Sequence, residues 1–319
     1  EFARGVDVIT FDHEHVPGDV IAALIADGVA VHPAAHALQF AQDKLLMREK
    51  LGSLGMPMPD WARAETAADV DAFLTSHGGR VVAKTPRGGY DGKGVQPLRG
   101  AADLSAAFDA PSVLESWVDF ESEIAVMVAR NADGQMKTFP AVDMEFNPEA
   151  NLVEFLFTPS ERPQAVISKA EKLAIEVAEK MGIVGVLAVE MFVLRDGSVL
   201  VNEVAPRPHN SGHHTIECCY TSQYEQHLRA IMNWPLGDTS LIQPAVMVNL
   251  LGEKGSQGQV VYSGMQDVLQ MPGVYVHLYG KKTTSSFRKM GHVTVMHSSL
   301  STAKEMAREV MQKLKVVGE

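Results

Sequence analysis

The sequence predicts an α/β (α+β) protein with two or three domains, and three observations support this fold class. The chain has 319 residues, 46% of them hydrophobic, so it can bury more than one core. Its N-terminal part alternates strand and helix patterns, as a β-α-β unit does. Further along, an amphipathic helix pattern at residues 166–181 leads into two apolar strand patterns.

The β-α-β unit consists of a strand at residues 6–11, a helix at 19–26 and a strand at 29–32. Two parallel strands do not form a stable sheet, and parallel strands are normally covered on both faces. We therefore expect this unit to be the tail of a larger domain whose beginning is missing. A helical face follows, formed by Leu38, Ala41, Leu45, Leu46 and Leu51.

The rest of the chain alternates strands with two long helices. The predicted strands lie at residues 80–84, 94–98, 112–118, 122–130, 186–195, 198–203, 274–279 and 291–296. The first three form a small β-rich lobe. The helix at 166–181 lies between Pro163 and Gly182, which suit a helix start and a helix end, and another helix stripe covers 303–314.

The charge balance argues against a nucleic-acid partner or a membrane partner. Lys+Arg total 28 and Asp+Glu 39, so the net charge is −11, and no basic stripe interrupts this balance. No apolar run approaches the roughly 20 residues that span a bilayer. The two cysteines, Cys218 and Cys219, are adjacent and give no disulfide framework, which fits a reducing compartment, so we expect a cytoplasmic protein.

The strand pair at residues 186–203 carries two carboxylates. Asp196 and Gly197 are a two-residue signal for a type I′ turn, which would put Arg195 opposite Ser198. Counting back along both strands then places Glu190 directly opposite Glu203, with both side chains on one face.

Opposed like charges destabilise a sheet, since their Cβ atoms lie only ~4.5–5.5 Å apart. A hard cation held by Glu190, Glu203 and substrate phosphates removes this repulsion, and Mg²⁺ suits such a site. The alternative is two solvated glutamates on a hairpin edge. The strongly apolar character of both strands favours the metal.

A glycine-rich loop lies between the strands at residues 80–84 and 94–98. Its glycines permit close backbone approach to a phosphate, which Arg87 and Lys93 would neutralise. The spacing is not a Walker A loop, and no helix follows as in a Rossmann fingerprint. An ordinary flexible hairpin is the alternative to a mobile phosphate-covering loop.

A loop rich in hydrogen-bond donors follows Glu203. Its candidate substrate ligands are Arg207, His209, Asn210, Ser211 and His213. Zinc binding by His209, His213 and His214 is the alternative, although the HExxH spacing is absent. A second basic cluster, more typical of a solvated face than of a site, consists of Lys281, Lys282, Arg288, Lys289 and His292.

Several segments together resemble the ATP-grasp enzymes and, within them, the N5-carboxyaminoimidazole ribonucleotide synthetases of purine biosynthesis. They are residues 42–44, 88–94, 115–118, 202–213, 277–281 and 288–292. The carboxylate hairpin and the glycine-rich loop mark the superfamily. The stretches at 205–213 and 279–292 mark the subfamily.

The resemblance implies an ATP-grasp fold with a partial Rossmann-like N-terminal domain, a small β-rich lid lobe and a larger mixed-sheet C-terminal domain. The expected limits are 1–48 for the N-terminal domain, 49–118 for the small lobe, 119–240 for the large lobe and 241–319 for a C-terminal subdomain. Relatives begin with a further β-α segment bearing a glycine-rich loop, which this chain lacks.

The resemblance also implies a nucleotide site between the small lobe and the hairpin, with Mg²⁺ on Glu190 and Glu203. The backbone of residues 115–118 would read adenine, Glu123 would hold the ribose hydroxyls, and residues 89–95 would close over the phosphates and exclude water. The expected ATP ligands are Lys44, Lys84, Gly89, Tyr90, Asp91, Gly92, Lys93, Gly94, Val95, Glu115, Ser116, Trp117, Val118, Glu123, Asn202 and Glu203.

The chemistry implied by the resemblance is attack of bicarbonate on ATP, followed by carboxylation of 5-aminoimidazole ribonucleotide. Asp91, Arg207 and Lys281 would be catalytic. The substrate-binding set would be Arg207, His209, Asn210, Ser211, His213, Lys281 and Arg288. A homodimer is expected from the family alone. The alternatives are another ATP-grasp carboxylate-amine ligase and a catalytically impaired nucleotide-binding fragment.

Overall fold

The computed structural model describes residues 2–89, 94–107, 111–147 and 152–319. The N-terminal part holds three helices, α1 (Gly18–Ala26), α2 (Ala35–Gln42) and α3 (Lys44–Ser53). The two strands predicted around α1 are wrong. They meet only at one parallel bridge between Ile9 and Val31, because no third strand among the described residues extends it into a ladder.

The single helical face expected from Leu38 to Leu51 is broken at Asp43. This residue is extended, with φ −137° and ψ 108°, and caps α3. Its Oδ1 accepts hydrogen bonds from the backbone N of Leu45 at 3.0 Å and of Leu46 at 3.2 Å. Lys44 thereby becomes the first residue of α3.

The small lobe is an antiparallel sheet with strand order β1-β4-β2-β3. Its elements are β1 (Trp61–Ala64), α4 (Ala67–Ser76), β2 (Val81–Lys84), β3 (Val95–Leu98) and β4 (Ser112–Ser116). Val70 and Leu74 of α4 pack against Val81 and Leu98 of the sheet. The three strands predicted for this lobe are confirmed, and β1 and α4 are additional.

The large sheet begins with a hairpin series and continues beyond a long helix. Its first elements are β5 (Phe120–Arg130), β6 (Met136–Thr138), β7 (Val142–Asn147), β8 (Leu152–Thr158), α5 (Gln164–Lys180), β9 (Gly185–Leu194), β10 (Val199–Ala205), α6 (Thr215–Cys218) and α7 (Gln223–Ile231). The predictions for β5, α5 and the β9–β10 hairpin are confirmed. Strands β7 and β8 were not predicted.

The C-terminal part extends this sheet and adds a small one. Its elements are β11 (Ala245–Leu251), β12 (Gln257–Ser263), α8 (Met265–Leu269), β13 (Val274–Leu278), β14 (Thr283–Ser285), β15 (Lys289–Met296), α9 (Leu300–Lys313) and β16 (Lys315–Gly318). The large sheet has the order β10-β9-β5-β7-β8-β11-β15-β13, and β14-β12-β16 form the small one.

All named strand pairs in the large sheet are antiparallel, so the expectation of mixed strand directions is wrong. The physical reason is that β5–β7–β8 and β9–β10 follow one another as hairpins, which join antiparallel neighbours.

The two faces of the β5–β9 region are distinct. Ile124 and Val126 lie in the core that includes α5, whereas Met127 and Ala129 lie in a second core on the other face. None of the described helices combines the length and the apolar composition needed to cross a membrane.

Candidate active site

The turn of the β9–β10 hairpin is one residue longer than predicted. Leu194 donates its backbone N–H to the carbonyl of Ser198 at 2.8 Å, and Gly197 donates to Leu194 at 2.9 Å. Gly197 has φ +75°, the left-handed conformation that closes a three-residue loop. The two-residue turn with Arg195 opposite Ser198 is therefore wrong.

A β-bulge at Asn202 nevertheless restores the predicted pairing of the carboxylates. Val201 lies opposite Met191, but the next pair joins Glu203 to Glu190, so Asn202 has no partner on β9. The extra residue turns Glu203 onto the same face as Glu190. Two departures from the predicted register cancel, and the opposed carboxylates are confirmed.

The fully buried guanidinium of Arg48 supports this bulge from α3. It donates to the carbonyl of Asn202 at 2.8 Å, to the carbonyl of Val201 at 3.3 Å and to Glu115 Oε1 at 2.9 Å. Burial alone would raise the pKa of Glu115, but the charges of Lys84 and Arg48 hold it below its usual range. Arg48 was not among the predicted site residues. Its position on the apolar face of α3, near Leu51, is the sequence signal that could have identified it as a buried cation.

The two opposed carboxylates lie in different electrostatic surroundings. Burial would raise the pKa of Glu203, but Lys44, with Nζ 3.3 Å from Oε1, and Lys84 outweigh it and lower the pKa. Burial raises the pKa of Glu190 to about 8, and the charges of Glu203 and Glu123 add to the rise. Glu190 therefore lacks full cationic compensation within the chain.

Glu123 joins these carboxylates on the neighbouring strand. It lies on β5 opposite Phe192, two residues before Ala125, which is the residue opposite Glu190. Side chains two apart along a strand share a face, so Glu123 and Glu190 face the same cleft. Burial raises the pKa of Glu123 to about 7, and Lys84 opposes that rise.

The carboxylates of Glu190 and Glu203 fit Mg²⁺. They offer hard oxygen donors, and their surroundings disfavour two negative charges unless a cation is added. These two carboxylates would hold the ion, and Mg²⁺ typically binds one or two protein carboxylates together with water and substrate phosphates. Lys44 and Lys84, whose Nζ lies 3.4 Å from Asn202 Oδ1, border the same place.

The glycine-rich loop is closed at its base by Gly94. This residue has φ +73°, and an added Cβ would lie 2.2 Å from Thr85 Oγ1, so only glycine fits. At the start of the loop, Arg87 Nε donates to Asp43 Oδ2 at 2.7 Å, which ties the loop to the cap of α3.

Part of the predicted lid lies outside the described residues. Tyr90, Asp91, Gly92 and Lys93 belong to this part, whereas Gly89, Gly94 and Val95 are described. The catalytic role of Asp91 and the lid itself stay predictions.

Residues 115–118 comprise the last two residues of β4 and the two residues that follow this strand. The backbone N of Ser116 donates to the carbonyl of Asp60 at 2.8 Å. The Trp117 ring packs under the guanidinium of Arg80, 4.3 Å from its centroid. Trp117 is thus engaged within the small lobe, and Val118 is half-buried beside it.

Arg207 forms an ion pair with Glu14, and its Nη1 donates to the carbonyl of Pro208 at 2.9 Å. A predicted substrate ligand is therefore held by the N-terminal segment. The charge of Arg207 also lowers the pKa of Glu190, so Arg207 lies near the carboxylates.

The loop after Arg207 is fixed by side-chain pairs. His209 Nδ1 lies 2.9 Å from Ser211 Oγ and 3.8 Å from Glu190 Oε1. Asn210 and the buried Asn249 exchange two amide hydrogen bonds of 2.8 and 3.0 Å. This pairing holds the loop on β11, next to the carboxylates.

His213 belongs to a stack of imidazoles rather than to a zinc site. Its ring lies 4.6 Å from that of His292, which lies 4.5 Å from His277. Burial, helped by the charges of neighbouring histidines, lowers the pKa of His213 to about 3. His214 lies in a different, fully buried environment, and among the described residues His209, His213 and His214 form no common set of metal ligands.

The C-terminal basic residues only partly converge on the cleft. Lys281 Nζ donates to the carbonyl of Lys289 at 2.6 Å, whereas the exposed Arg288 donates to the carbonyl of Thr283 at 2.9 Å. The charge of Lys289 opposes the rise in the pKa of Glu190. Lys289 was predicted only as a member of a basic cluster.

The chain matches two family models. Residues 49–224 match the ATP-grasp domain, and residues 245–306 match the phosphoribosylaminoimidazole carboxylase C-terminal domain. The crystal structure of N5-carboxyaminoimidazole ribonucleotide synthetase from Thermotoga maritima has a TM-score of 0.91 and 40% identity, covering 99% of this chain and 84% of that chain.

A second structure carries ligands. The Aspergillus clavatus enzyme, in complex with ADP and 5-aminoimidazole ribonucleotide, has a TM-score of 0.88 and 28% identity, covering 97% of this chain and 82% of that chain.

Two curated relatives bear the name N5-carboxyaminoimidazole ribonucleotide synthase. The Mycobacterium tuberculosis protein is 41% identical over 313 residues, covering 96% of this chain and 72% of that protein. The Bacillus subtilis protein is 36% identical over 295 residues, covering 91% of this chain and 75% of that protein. On these likenesses and the carboxylate hairpin, the chain belongs to the N5-carboxyaminoimidazole ribonucleotide synthase family of ATP-grasp ligases.

Proposed function

We propose that, in the ATP-dependent carboxylation of 5-aminoimidazole ribonucleotide that defines this family, Glu190 and Glu203 hold Mg²⁺ while Lys44 and Lys84 bind the ATP phosphates. The observation that carries the proposal is the opposition of the two carboxylates on one face of β9–β10. Lys44 Nζ lies 3.3 Å from Glu203, so cation and carboxylate already meet at the place where phosphates would bind.

The nucleotide would lie between the small lobe and the hairpin. The backbone of residues 115–118 would read adenine, and Glu123 would accept hydrogen bonds from the ribose hydroxyls. When ATP binds, Lys44 would exchange part of its contact with Glu203 for a phosphate oxygen. Lys84 is anchored on Glu115 at 2.7 Å, so its ammonium is positioned before the nucleotide arrives.

Mg²⁺, when bound, would neutralise the charge that builds up on the transferred phosphoryl group. The chain contributes the two carboxylates and the bulge that aligns them. Arg48 keeps that bulge in place by donating to the carbonyls of Val201 and Asn202.

The first chemical step is attack of a bicarbonate oxygen on the γ-phosphorus of ATP. The bond from the γ-phosphorus to the bridging oxygen breaks, its electron pair leaves with ADP, and carboxyphosphate forms. Lys84 and Arg207 stabilise the developing charge, since preorganised cations in a closed site provide most of the acceleration in such a reaction.

In the second step, the exocyclic amine of the ribonucleotide attacks the carboxyl carbon of carboxyphosphate, or CO₂ released from it. Phosphate leaves, and the amine gives up a proton to a neighbouring base. We propose Asp91 and Lys281 beside the bicarbonate and the accepting amine. Closure of residues 89–95 would exclude water from carboxyphosphate, which otherwise hydrolyses.

The ribonucleotide would lie on the loop after Glu203 and on the C-terminal basic residues. Its proposed ligands are Arg207, His209, Asn210, Ser211, His213, Lys281 and Arg288. From the family resemblance we further propose a cytoplasmic homodimer with domain limits at residues 48/49, 118/119 and 240/241.

The test is ADP release by the purified chain with Mg²⁺ and bicarbonate, with and without 5-aminoimidazole ribonucleotide. We expect strong stimulation by the ribonucleotide and its loss in Glu203→Gln. Glu145→Gln, which removes an exposed carboxylate on β7, is the matched control and should behave as wild type. ADP release that ignores the ribonucleotide would contradict the assigned reaction.

A further inference from the structure

A second cluster of metal-binding side chains lies outside the carboxylate site. The Cys218 and Cys219 sulfurs and a ring nitrogen of His214 all lie within 4.8 Å of one another, and they are the only such trio among the described residues. All three residues are buried, with 0% exposure for His214 and Cys218 and 4% for Cys219.

The ring of His214 is unusual because both of its nitrogens are buried without a hydrogen-bond partner in the part of the chain that the structure describes. Among the described residues, neither Nδ1 nor Nε2 makes a contact with hydrogen-bond geometry. A buried imidazole without partners costs free energy, because it loses its bonds to water and gains none. A neutral imidazole nitrogen carries a lone pair that a metal ion can accept.

The two thiols are held by the backbone with their sulfurs on the same side. The carbonyl of Cys218 accepts a hydrogen bond from Ile242 at 2.7 Å, and Cys219 forms a β-bridge with Leu241. Their Sγ atoms are 4.0 Å apart and both are free. Two zinc–sulfur bonds of ~2.3 Å at a tetrahedral angle span ~3.8 Å, close to this spacing.

We propose that His214, Cys218 and Cys219 form a binding site for a thiophilic divalent metal ion, for which Zn²⁺ is the best fit. One imidazole and two thiolates are the soft donors that Zn²⁺ takes. Two thiolate charges cancel the charge of a divalent ion. The resulting complex is neutral, as the apolar surroundings of Met127, Ala188 and Leu236 require.

The site is separate from the Mg²⁺ site in its donor chemistry. Glu190 and Glu203 offer hard carboxylate oxygens, whereas this cluster offers sulfur and nitrogen. Three protein ligands leave one tetrahedral position for water or another small ligand. The proposal does not depend on the carboxylation reaction, because it rests on a different set of side chains.

The experiment titrates Zn²⁺ into the reduced, chelator-stripped full chain against a chromophoric chelator, with excess Mg²⁺ present to occupy the carboxylate site. We expect one equivalent of tightly bound Zn²⁺. Cys218→Ser, Cys219→Ser and His214→Gln should each weaken binding by more than the ~10- to 100-fold that loss of a supporting partner causes. His36→Gln, an exposed histidine, is the matched control and should bind as wild type.

A second measurement needs no variant, in case the substitutions in this core prevent folding. Cd²⁺ added to the wild-type chain should produce a thiolate-to-metal charge-transfer band. Absence of the band would overturn the proposal, as would Zn²⁺ affinity unchanged in Cys218→Ser and Cys219→Ser.

Discussion

The two sides of the carboxylate cleft are built on opposite electrostatic principles. On the small-lobe side, Lys44 and Lys84 keep the pKa of Glu203 low. On the other side, burial and two neighbouring carboxylates raise the pKa of Glu190 to about 8. The first side is neutralised within the chain. The second side is left for a cation from solution, which is the property expected of a magnesium site.

Substitution of Arg48 should have the largest effect on the side of the cleft that is neutralised within the chain. Arg48→Met would leave the buried Glu115 with Lys84 alone and would remove the donors to the carbonyls of Val201 and Asn202. We expect a loss of ~3 kcal/mol in the free energy of unfolding, because breaking a buried pair leaves an uncompensated charge. Urea unfolding at pH 7 measures it.

Two further variants serve as comparisons for Arg48→Met. Arg63→Met removes an exposed pair with Glu65 and should cost less than ~1 kcal/mol. Arg48→Lys should recover only part of the loss, since one ammonium cannot reproduce a planar fork of donors. A loss for Arg48→Met no larger than that for Arg63→Met would show that Arg48 does not support the bulge.

The role of Lys84 on the same side of the cleft can be tested by enzyme kinetics. Lys84→Met should lower kcat/KM for ATP by ~10²- to 10³-fold, the effect of removing one preorganised group that stabilises transition-state charge. Steady-state ADP release measures it. Lys180→Met, which removes an exposed pair with Glu176, should leave kcat/KM unchanged. Equal kinetics for the two variants would remove Lys84 from the phosphate site.

The opposition of Glu190 and Glu203 could be predicted from the sequence, but the path to it could not. The sequence shows an Asp-Gly turn and two apolar strands, and these suffice to place both carboxylates at the same end of a hairpin. The Asp196-Gly197 pair does not distinguish a two-residue turn from a three-residue loop that ends in glycine, and the bulge at Asn202 has no local signal. The bulge depends on Arg48, which reaches it from another part of the chain.

The raised pKa of Glu190, on the other side of the cleft, can be tested through the pH dependence of stability. Burial, helped by the charges of Glu203 and Glu123, raises the pKa of Glu190 from its ordinary 4.5 to about 8, so the folded chain keeps a proton that the unfolded chain has lost. In Mg²⁺-free buffer this effect makes stability fall as pH rises from 4.5 toward 8. We expect Glu190→Gln to match the stability of wild type near pH 5 and to be more stable than wild type at pH 8, by ~2–4 kcal/mol.

Thermal or urea unfolding at both pH values measures this difference. Glu145→Gln is the control and should follow the wild type at each pH. A Glu190→Gln variant with the same pH dependence as wild type would show that Glu190 carries no raised pKa.

The smallest predicted effect concerns the substrate loop. Asn210→Ala would leave the buried Asn249 without two hydrogen bonds and should cost ~1 kcal/mol of stability. A double-mutant cycle with Asn249→Ala measures the coupling. Additive losses in the two single variants would mean that the amide pair contributes nothing to holding the loop.

The fold was predictable where periodicity is strong and local. Helix α5 and strand β5 carry such patterns, whereas β7 and β8 between them were not predicted, although Asn147 and Pro148 are a turn signal. The strands predicted around α1 failed because a β pattern needs a partner, and only Ile9 and Val31 meet. The contacts of Arg207 with Glu14 and of Asn210 with Asn249 depend on tertiary packing, which no spacing reveals.

The most direct test of the magnesium site is the effect of Mg²⁺ on ADP affinity, measured by calorimetry for wild type and Glu190→Gln. If the opposed carboxylates hold the ion, Mg²⁺ will tighten ADP binding in wild type, more strongly at pH 8 than at pH 6, and this tightening will be lost in the variant. Equal tightening in both proteins at both pH values would contradict the account.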